Sequence, residues 1–457
     1  MSDGRPEAEG RAASAAWATF LKRHPDTQTI DLLIPDLAGI ARGKRVLAKG
    51  LAGMLESGIT FASSVYGMDA TGTNVEASGL IWEEGDADRP CAIDASTFAP
   101  VPWREGGAQI LASLLDHDGR PFFGDPRAAL ARVAARFEAS GLRPVTALEL
   151  EFYLIERDMD EEGRPRPAAR GDGKTAGEGQ VYGIEELAER DAFLACLQRF
   201  AAAQDLPVKG AVSEYSPGQY EVNLAHVDDP VRAADHAFLF KRAIRAAARA
   251  TGCEATFMAK PFAGRSSSGL HVHVSLWDRR GRNLLARDEQ ALRHAIAGLQ
   301  ATMAEAMLLF APNANSYRRL RPLSYAPLAP TWGYNNRTVA LRVIGESGAA
   351  RRIEHRTAGA DANPYLALAA VLAGVHHGLE EGLEPDAPIA GSAYHKVEPS
   401  LPLSWESAIA ALERAAILPG YMGADFCRLY RVCRQAERAR FEERITRTEY
   451  AWYLRTV

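Results

Sequence analysis

The segment Ala147-Leu-Glu-Leu-Glu-Phe-Tyr-Leu154 alternates between acidic and apolar residues at its centre. A period of two is typical of a β-strand and places Glu149 and Glu151 on the same face. Two carboxylates at this spacing repel each other, so one takes up a proton unless a cation neutralises both. A divalent cation such as Mg²⁺ or Mn²⁺ prefers carboxylate oxygens and would remove the conflict. An edge strand with a solvated polar face explains the segment equally well, so other segments have to decide.

The composition of the 457 residues is typical of a globular protein, with 47% apolar and 24% charged residues. A chain of this length exceeds one ordinary hydrophobic core, so we expect two or more domains. The net charge of -5 argues against nucleic acid and an anionic membrane surface as partners. The five cysteines show no C-x-x-C spacing, and the N-terminus is too polar for a signal peptide. We therefore expect a soluble cytoplasmic protein with reduced thiols.

The pattern of the chain changes near residue 120, where we predict a domain boundary. Residues 1–120 are predicted to form a small strand-rich domain, and residues 121–457 a larger domain of strands and long helices. Strands are predicted at 30–36, 41–46 and 109–115, and irregular loops with short strands at 59–107. Helices are predicted at 12–23, 127–138, 185–203, 230–250, 289–310, 364–379 and 425–444. Gly124-Asp125-Pro126 should begin the first helix of the larger domain, because Asp is a good N-cap and Pro suits the first helical position.

Two later segments add residues that commonly bind metals. Glu214 and Glu221 flank a Ser-Pro-Gly turn, which can direct both carboxylates toward one space. His271, His273 and Ser275 alternate with apolar residues and therefore share one strand face. A solvated hairpin explains the first segment alone, and a core histidine explains a lone His. Together with the first acidic strand, the two segments favour a functional site.

The stretch 318–356 contains many arginines and no lysine. The arginines are Arg318, Arg319, Arg321, Arg337, Arg342, Arg351, Arg352 and Arg356. A solvated basic face normally mixes the two residue types, whereas arginine alone suits bidentate binding of carboxylate and phosphate. Near the end of the stretch, Glu354 stands between Arg352 and Arg356 on one strand face. Metal-binding carboxylates beside phosphate-binding arginines predict phosphoryl transfer from a nucleotide to an acid.

The order of these motifs resembles the glutamine synthetase family across essentially the whole chain. The motifs are E-x-E, P-G-Q-x-E, F-M-A-K-P, S-G-x-H-x-H-x-S, N-S-Y-R-R-L, N-N-R-T-V-A-L-R, R-R-I-E-x-R and D-A-N-P-Y. Within the family, the chain is most similar to the γ-glutamylputrescine synthetase branch, which ligates glutamate to amines. The branch-like segments are 31–45, 332–337 and 445–450.

The resemblance implies two or more divalent ions per active site, Mg²⁺ or Mn²⁺, each held by three residues. The ligands of one ion would be Glu151, Glu214 and Glu221. The ligands of the second ion, which faces the nucleotide phosphates, would be Glu149, His271 and Glu354.

The resemblance also implies residues that bind ATP and the substrates. The ATP-binding residues would be His273, Ser275, Arg337 and Arg352. The catalytic residues at the transferring phosphoryl group would be Arg337 and Arg342. Arg319 and Arg356 would hold the glutamate, and Glu151 and Tyr325 would border the substrates.

The fold implied by the resemblance is α+β. A β-grasp domain would precede a catalytic domain whose antiparallel sheet carries the metal ligands and is backed by helices. The implied assembly is a homo-oligomer, a dodecamer of two hexameric rings with active sites shared between neighbouring subunits. We expect the loop 59–85 of a neighbour to complete the amine pocket. Its acidic and aromatic residues are Tyr66, Asp69, Glu76, Trp82, Glu83 and Glu84.

The sequence departs from the family pattern at positions that concern the acid and the amine. Ser266-Ser267 replaces the Asn-Gly that contacts glutamate, and Tyr325 replaces the glutamate that accepts the ammonium proton. The predicted activity is therefore ATP-dependent ligation of L-glutamate to putrescine, another polyamine or a small alkyl amine, through a γ-glutamyl phosphate. A glutamine synthetase that uses ammonia and a catalytically inactive structural or regulatory homologue are the alternatives.

Overall fold

Two β-sheets built from separate stretches of the chain organise the molecule. The computed structural model describes residues 5–83, 85–169 and 179–457. Within these ranges the first sheet has five strands in the order β2-β1-β5-β4-β3. Its strands are β1 (Thr29–Pro35), β2 (Ala41–Leu47), β3 (Ile59–Ala62), β4 (Asp88–Pro100) and β5 (Gly107–Leu114). β1 pairs antiparallel with β2, which confirms the predicted hairpin, and parallel with β5.

The second sheet carries the acidic and histidine residues noted in the sequence. Over the described residues it has eight strands in the order β11-β12-β13-β10-β6-β8-β7, with β9 paired to β6. Its strands are β6 (Leu142–Ile155), β7 (Val208–Ser213), β8 (Gln219–Leu224), β9 (Glu254–Thr256), β10 (Leu270–Asp278), β11 (Trp332–Tyr334), β12 (Leu341–Ile344) and β13 (Arg352–His355). Leu148, Leu150 and Leu154 of β6 are fully buried. The predicted alternation is therefore confirmed, with Glu149 and Glu151 on the other face of the strand.

Helices pack against the apolar face of the second sheet, and α6 lies on β6. The helices are α1 (Arg5–Arg23), α2 (Ala48–Ser57), α3 (Pro126–Ala139), α4 (Ile184–Ala188), α5 (Asp191–Ala203), α6 (Pro230–Ala250), α7 (Leu284–Arg287), α8 (Glu289–Phe310), α9 (Pro364–Glu381), α10 (Trp405–Glu413), α11 (Leu418–Met422), α12 (Ala424–Glu442) and α13 (Arg447–Tyr453). Asp125, Asp229 and Asn363 cap α3, α6 and α9, each followed by a proline. The predicted α+β class is confirmed. No helix in the described part of the chain is long and apolar enough to cross a membrane.

Three predicted segments differ from the structure. The helix predicted at 12–23 is α1, which already begins at Arg5. The region 59–107, predicted as loops and short strands, contains the long strand β4. β4 pairs with β3 and, with a register shift between Asp94 and Ala99, with β5, so tertiary pairing outweighs its unfavourable composition. The single helix predicted at 185–203 is divided into α4 and α5 at Arg190.

The sequence analysis did not predict α2, α7, α10, α11 or α13. In α2, Gly50 and Gly53 lower the helix propensity and obscure the pattern. Leu51 and Leu55, which lie one turn apart, are buried and show that packing of this face stabilises the helix.

Asn363 connects the start of α9 to the loop between β1 and β2. Its Oδ1 accepts from the Tyr365 backbone N–H at 3.0 Å, and its Nδ2 donates to the Asp36 carbonyl oxygen at 2.9 Å. Gly39 of the same loop has a φ of 74°, and an added Cβ would lie 3.3 Å from Asn363 Cα. The first sheet ends at Leu114 and the second begins at Leu142. The domain boundary near residue 120 lies between the two sheets and stays a prediction.

Replacement of Asn363 by alanine should lower the free energy of unfolding by about 2 kcal/mol, because a helix cap and a hydrogen bond to Asp36 are lost together. The midpoint of urea denaturation measures the effect. Asp288→Ala, which removes the cap of α8, is the comparison and should cost about 1 kcal/mol. Equal costs for the two variants would show that the bond to Asp36 contributes nothing.

Candidate active site

The register of the second sheet places predicted site residues opposite one another on neighbouring strands. His271 of β10 pairs with Glu149 of β6, and Glu151 pairs with Glu221 of β8 on the other side of β6. Directly opposed residues in a sheet point to the same face. The separate polar segments of the sequence therefore meet on one side of the sheet.

Glu149, His271 and Glu354 form the first group that could hold a metal ion. One ligand atom from each lies within 4.8 Å of the others. His271 Nδ1 is 3.3 Å from Glu149 Oε2 and 3.6 Å from Glu354 Oε1. The structure thus brings together the three residues predicted for the ion that faces the nucleotide.

Glu151, Glu221 and His271 form the second group, with ligand atoms that also lie within 4.8 Å of one another. His271 Nε2 is 3.7 Å from Glu151 Oε1. Glu214, predicted as the third ligand of this ion, belongs to neither group. It follows β7 at the start of the turn, where its backbone N–H donates to Gln219, and so it is not on a paired strand.

Burial and the crowding of like charges raise the pKa values of two carboxyl groups. Burial, and then the charges of Glu149 and Glu151, raise the pKa of Glu221 to about 9. Burial, and then the charge of Glu151, raise the pKa of Glu214 to about 7. Protons therefore compete with a metal cation for both carboxyl groups near neutral pH.

Two other carboxylates stay charged because histidine and arginine side chains surround them. Burial disfavours the charged form of Glu149, but His273 and His271 hold its pKa well below the ordinary value. Burial is also outweighed at Glu354, whose pKa falls to about 2 beside Arg356 and His271. The two candidate metal groups thus differ, because both carboxyl groups of the first have a lowered pKa whereas Glu221 of the second has a raised pKa.

Of the two predicted catalytic arginines, Arg342 lies at the edge of the first group. Arg342 Nη1 donates to Glu354 Oε2 at 3.1 Å, and Arg356 contacts the other oxygen of the same carboxylate. Arg337, predicted to act with Arg342, is exposed on the loop between β11 and β12, and its charge acts on Glu214.

Arg352 fixes the protonation of His273. Its Nε donates to His273 Nδ1 at 3.1 Å, so this ring nitrogen is an acceptor and the ring proton lies on Nε2. His273 Nε2 is 2.8 Å from Glu149 Oε1, although the two are not aligned as a hydrogen bond. Ser275 follows on the same strand and accepts from Trp277 Nε1 at 3.0 Å. The predicted nucleotide residues His273, Ser275 and Arg352 therefore border the first metal group.

Arg319 and Gly269 lie beside the second group. Arg319 donates to the carbonyl oxygens of Thr357 at 2.8 Å and Arg356 at 3.1 Å. The backbone N–H of Gly269 donates to Glu151 Oε2 at 2.8 Å. A Cβ on Gly269 would lie 3.0 Å from Arg319 Nη2, so a larger residue there would require the Arg319 side chain to shift.

Tyr325 lies at the open rim of the site. It is 45% exposed and has a φ of 57°, an unusual conformation for a bulky residue. Its ring stacks on Tyr215, with centroids 5.7 Å apart and planes inclined by 26°. Tyr215 directly follows Glu214, so the aromatic pair stands next to an acidic group.

The loop 59–85 contains buried as well as exposed residues. Tyr66 is fully buried, and Asp69 accepts backbone hydrogen bonds within its own turn. Both stabilise the fold of this chain, so their predicted role in a neighbour's amine pocket is wrong. The exposed residues of the predicted set are Glu76, Trp82 and Glu83. Glu84 lies outside the described residues.

The sequence analysis missed His226 and Tyr215. The ring of His226 is 5.7 Å from that of His273, and its Nε2 has no hydrogen-bond partner among the described residues. Burial, and then His273, lower the pKa of His226 to about 4, so the ring is neutral at pH 7. No spacing pattern marks His226, because it follows β8 on a segment that does not alternate. Tyr215 was within a quoted motif, but its ring could be placed only in three dimensions.

The comparisons with known proteins agree with this geometry. A family model described as glutamine synthetase, catalytic domain, matches residues 123–453. The chain is 39% identical to gamma-glutamylputrescine synthetase PuuA of Escherichia coli (strain K12), over 98% of this chain and 96% of that protein. It is 34% identical to a glutamate–isopropylamine ligase of a Pseudomonas species, over 87% of this chain and 86% of that protein. The solved structure of apo GmaS without ligand superposes with a TM-score of 0.82 at 28% identity, covering 95% and 98% of the two chains.

Ionisation of Glu214 and Glu221 should make the metal-free protein less heat-stable as pH rises. Both pKa values lie above those of an unfolded chain, so their contribution to stability is lost as pH rises through about 7 and then about 9. We expect the melting temperature in EDTA to fall between pH 6 and pH 9, and Mg²⁺ to reduce that fall. Glu221→Gln cannot ionise and should show a smaller fall in EDTA. Parallel curves for the variant and the wild type would contradict this assignment.

Proposed function

Because the chain belongs to the glutamine synthetase family, we propose that it ligates the γ-carboxylate of L-glutamate to an amine. ATP would phosphorylate the carboxylate to give ADP and a γ-glutamyl phosphate, from which the amine would displace phosphate. The predicted glutamine-synthetase-type fold and the predicted class of enzyme, an ATP-dependent glutamate–amine ligase, are confirmed by the family model and the relatives. The amine, the metal and the role of each residue belong to our proposal. The observation that carries it is the pair of metal-ligand groups that share His271 beside a set of arginines.

Divalent ions are proposed to bind at the two groups, with Mg²⁺ or Mn²⁺ as candidates. When bound, they would neutralise the carboxylates and the ATP phosphates and so favour transfer of the γ-phosphoryl group. Glu149, His271 and Glu354 would hold one ion. The second ion would be held by Glu151 and Glu221. Glu214, which interacts electrostatically with Glu151, is proposed as its third ligand.

The arginines are proposed to form two sets, one that binds the phosphates and one that binds the glutamate. Arg337 and Arg342 would stabilise the negative charge that develops on the transferring phosphoryl group. Arg352 would orient the nucleotide through its hydrogen bond to His273. Ser275, on the same strand as His273, would also contact the nucleotide. Arg319 and Arg356 would hold the glutamate, because the Nε atoms of both are buried without partners among the described residues.

The aromatic pair of Tyr325 and Tyr215 at the exposed edge of the site favours an amine substrate over ammonia. An ammonium ion needs a carboxylate that binds it and accepts its proton close to the acyl phosphate. The phenol of Tyr325 carries no negative charge to bind the cation and is a poor proton acceptor, so it cannot replace that carboxylate. The stacked rings of Tyr325 and Tyr215 instead offer apolar surface to the methylenes of an amine and aromatic faces to a distal charge.

We further propose a homo-oligomeric enzyme in the cytosol. All five cysteines are free, which is consistent with a reducing compartment. Trp82 is 76% exposed within the loop 59–85 and is suited to contact a neighbouring subunit. A dodecamer of two hexameric rings, with the exposed part of this loop bordering the neighbour's amine pocket, is the assembly that we propose.

The proposed function predicts ADP release that depends on both glutamate and an alkyl amine. We expect putrescine or a related amine to give a higher initial rate than ammonium at equal free-base concentration. Glu151→Ala, which removes a proposed metal ligand, is the control for contaminating ATPase and should be inactive. Faster turnover with ammonium would identify a glutamine synthetase, and no turnover with any amine would identify an inactive homologue.

Replacement of Arg356 by lysine should raise the KM for glutamate about tenfold or more and leave the KM for ATP almost unchanged. Lysine keeps the charge but cannot form a bidentate pair with a carboxylate, and a charged hydrogen bond contributes about 2 kcal/mol. Initial rates at varied concentrations of each substrate measure both constants. If both constants rise equally, Arg356 acts on the nucleotide side.

A further inference from the structure

The loop 357–363, here called the Asp361 loop, connects β13 to α9 and packs against the chain that enters β10. Gly359 pairs with Gly269, and the Ala360 backbone N–H donates to the Ser268 carbonyl oxygen at 3.0 Å. The position of Gly269, next to Glu151 and Arg319, therefore depends on this loop.

Asp361 ties the loop to the segment that carries Arg319. Its Oδ2 accepts from Ser316 Oγ at 2.7 Å and from Asn313 Nδ2 at 2.8 Å. The residue as a whole is half-buried, but Oδ1 is shielded from solvent and has no hydrogen-bond partner among the described residues. A buried carboxylate oxygen without a partner needs a nearby positive charge.

Lys241 of α6 supplies that charge from the opposite side of the loop. Its ammonium group is buried and donates to the carbonyl oxygens of Ala360 at 2.7 Å and Ala362 at 3.1 Å, which flank Asp361. Burial raises the pKa of Asp361 and lowers that of Lys241 to about 7, and the charge of each residue partly opposes the effect of burial on the other. The two side chains thus interact through their charges across the backbone of the loop.

Both proposed glutamate-binding arginines are connected to this pair. Arg319 lies three residues after Ser316, and it donates to the carbonyl oxygens of Arg356 and Thr357, at the end of β13 and the start of the loop. Movement of the Asp361 loop would therefore shift Arg319, Arg356 and Gly269 together, while His273 and Ser275 on β10 lie farther along their strand.

We propose that Lys241 and Asp361 are positioning residues for glutamate binding, acting through Arg319, Arg356 and Gly269. This inference rests on the proposed function, because it assigns these arginines to glutamate. Neither residue belongs to the metal-ligand groups or touches a proposed nucleotide residue in the described structure. Their effect should therefore fall on one substrate.

The test compares Asp361→Asn, Lys241→Met and the double variant with the wild-type enzyme, using the KM values for glutamate and for ATP. Each single variant leaves one buried charge uncompensated and should raise the glutamate KM about tenfold, with the ATP KM within about twofold. The double variant should raise the glutamate KM by less than the product of the two single effects, because it removes both charges.

Asp235→Asn is the matched control, because Asp235 is a buried carboxylate paired with Arg127 and Tyr365 away from the site. It should lower the melting temperature without separating the two KM values. Ser316→Ala removes one hydrogen bond to Asp361 without leaving a lone charge, so it tests the proposal if the charge variants do not fold. It should raise the glutamate KM about threefold.

Three results would overturn the inference. These are equal changes in both KM values, multiplicative effects in the double variant, and a Ser316→Ala enzyme with an unchanged glutamate KM. If the wild-type enzyme releases ADP with glutamate and an amine, these results overturn the positioning role alone. A wild-type protein that releases no ADP would overturn the proposed function together with this inference.

Discussion

Repulsion among carboxylates on one face of a sheet is the constraint on which the rest of the structure depends. β6 places Glu149 and Glu151 together, its pairing with β8 adds Glu221, and the pairing of β10 with β13 adds Glu354. Histidine and arginine side chains stabilise part of this charge, and protonation of Glu214 and Glu221 removes another part. The strands can carry such a face only because their opposite face is apolar and covered by helices.

Much of the site could be predicted because the strand period determines which side chains share a face. The alternation alone put Glu149 beside Glu151, and His271 beside His273 and Ser275. The resemblance added the pairing between distant segments, and the first metal group contains the three residues expected for it. The long helices α6 and α8 begin and end at the predicted residues, since proline, aspartate and apolar periodicity mark them clearly.

What could not be predicted depends on tertiary contacts that no local pattern encodes. Glu214 lies on a turn, so its distance from Glu151 depends on the path of the hairpin and not on a period. Tyr66 and Asp69 are polar residues in an irregular loop, and only packing shows that they are buried. The strand β4 likewise exists because neighbouring strands supply its hydrogen bonds, although its own sequence is rich in polar residues and proline.

The two candidate metal groups share the imidazole ring of His271, and this limits how metal ions could occupy the site. A neutral imidazole offers one lone pair, so His271 can be a ligand of only one ion at a time. An ion held by Glu149 and Glu354 would take that lone pair, and the other group would then offer carboxylate oxygens only. The two positions would therefore differ in ligand softness as well as in charge. Two ions bound there would not be equivalent, and the same divalent ion would bind the two positions with different affinities.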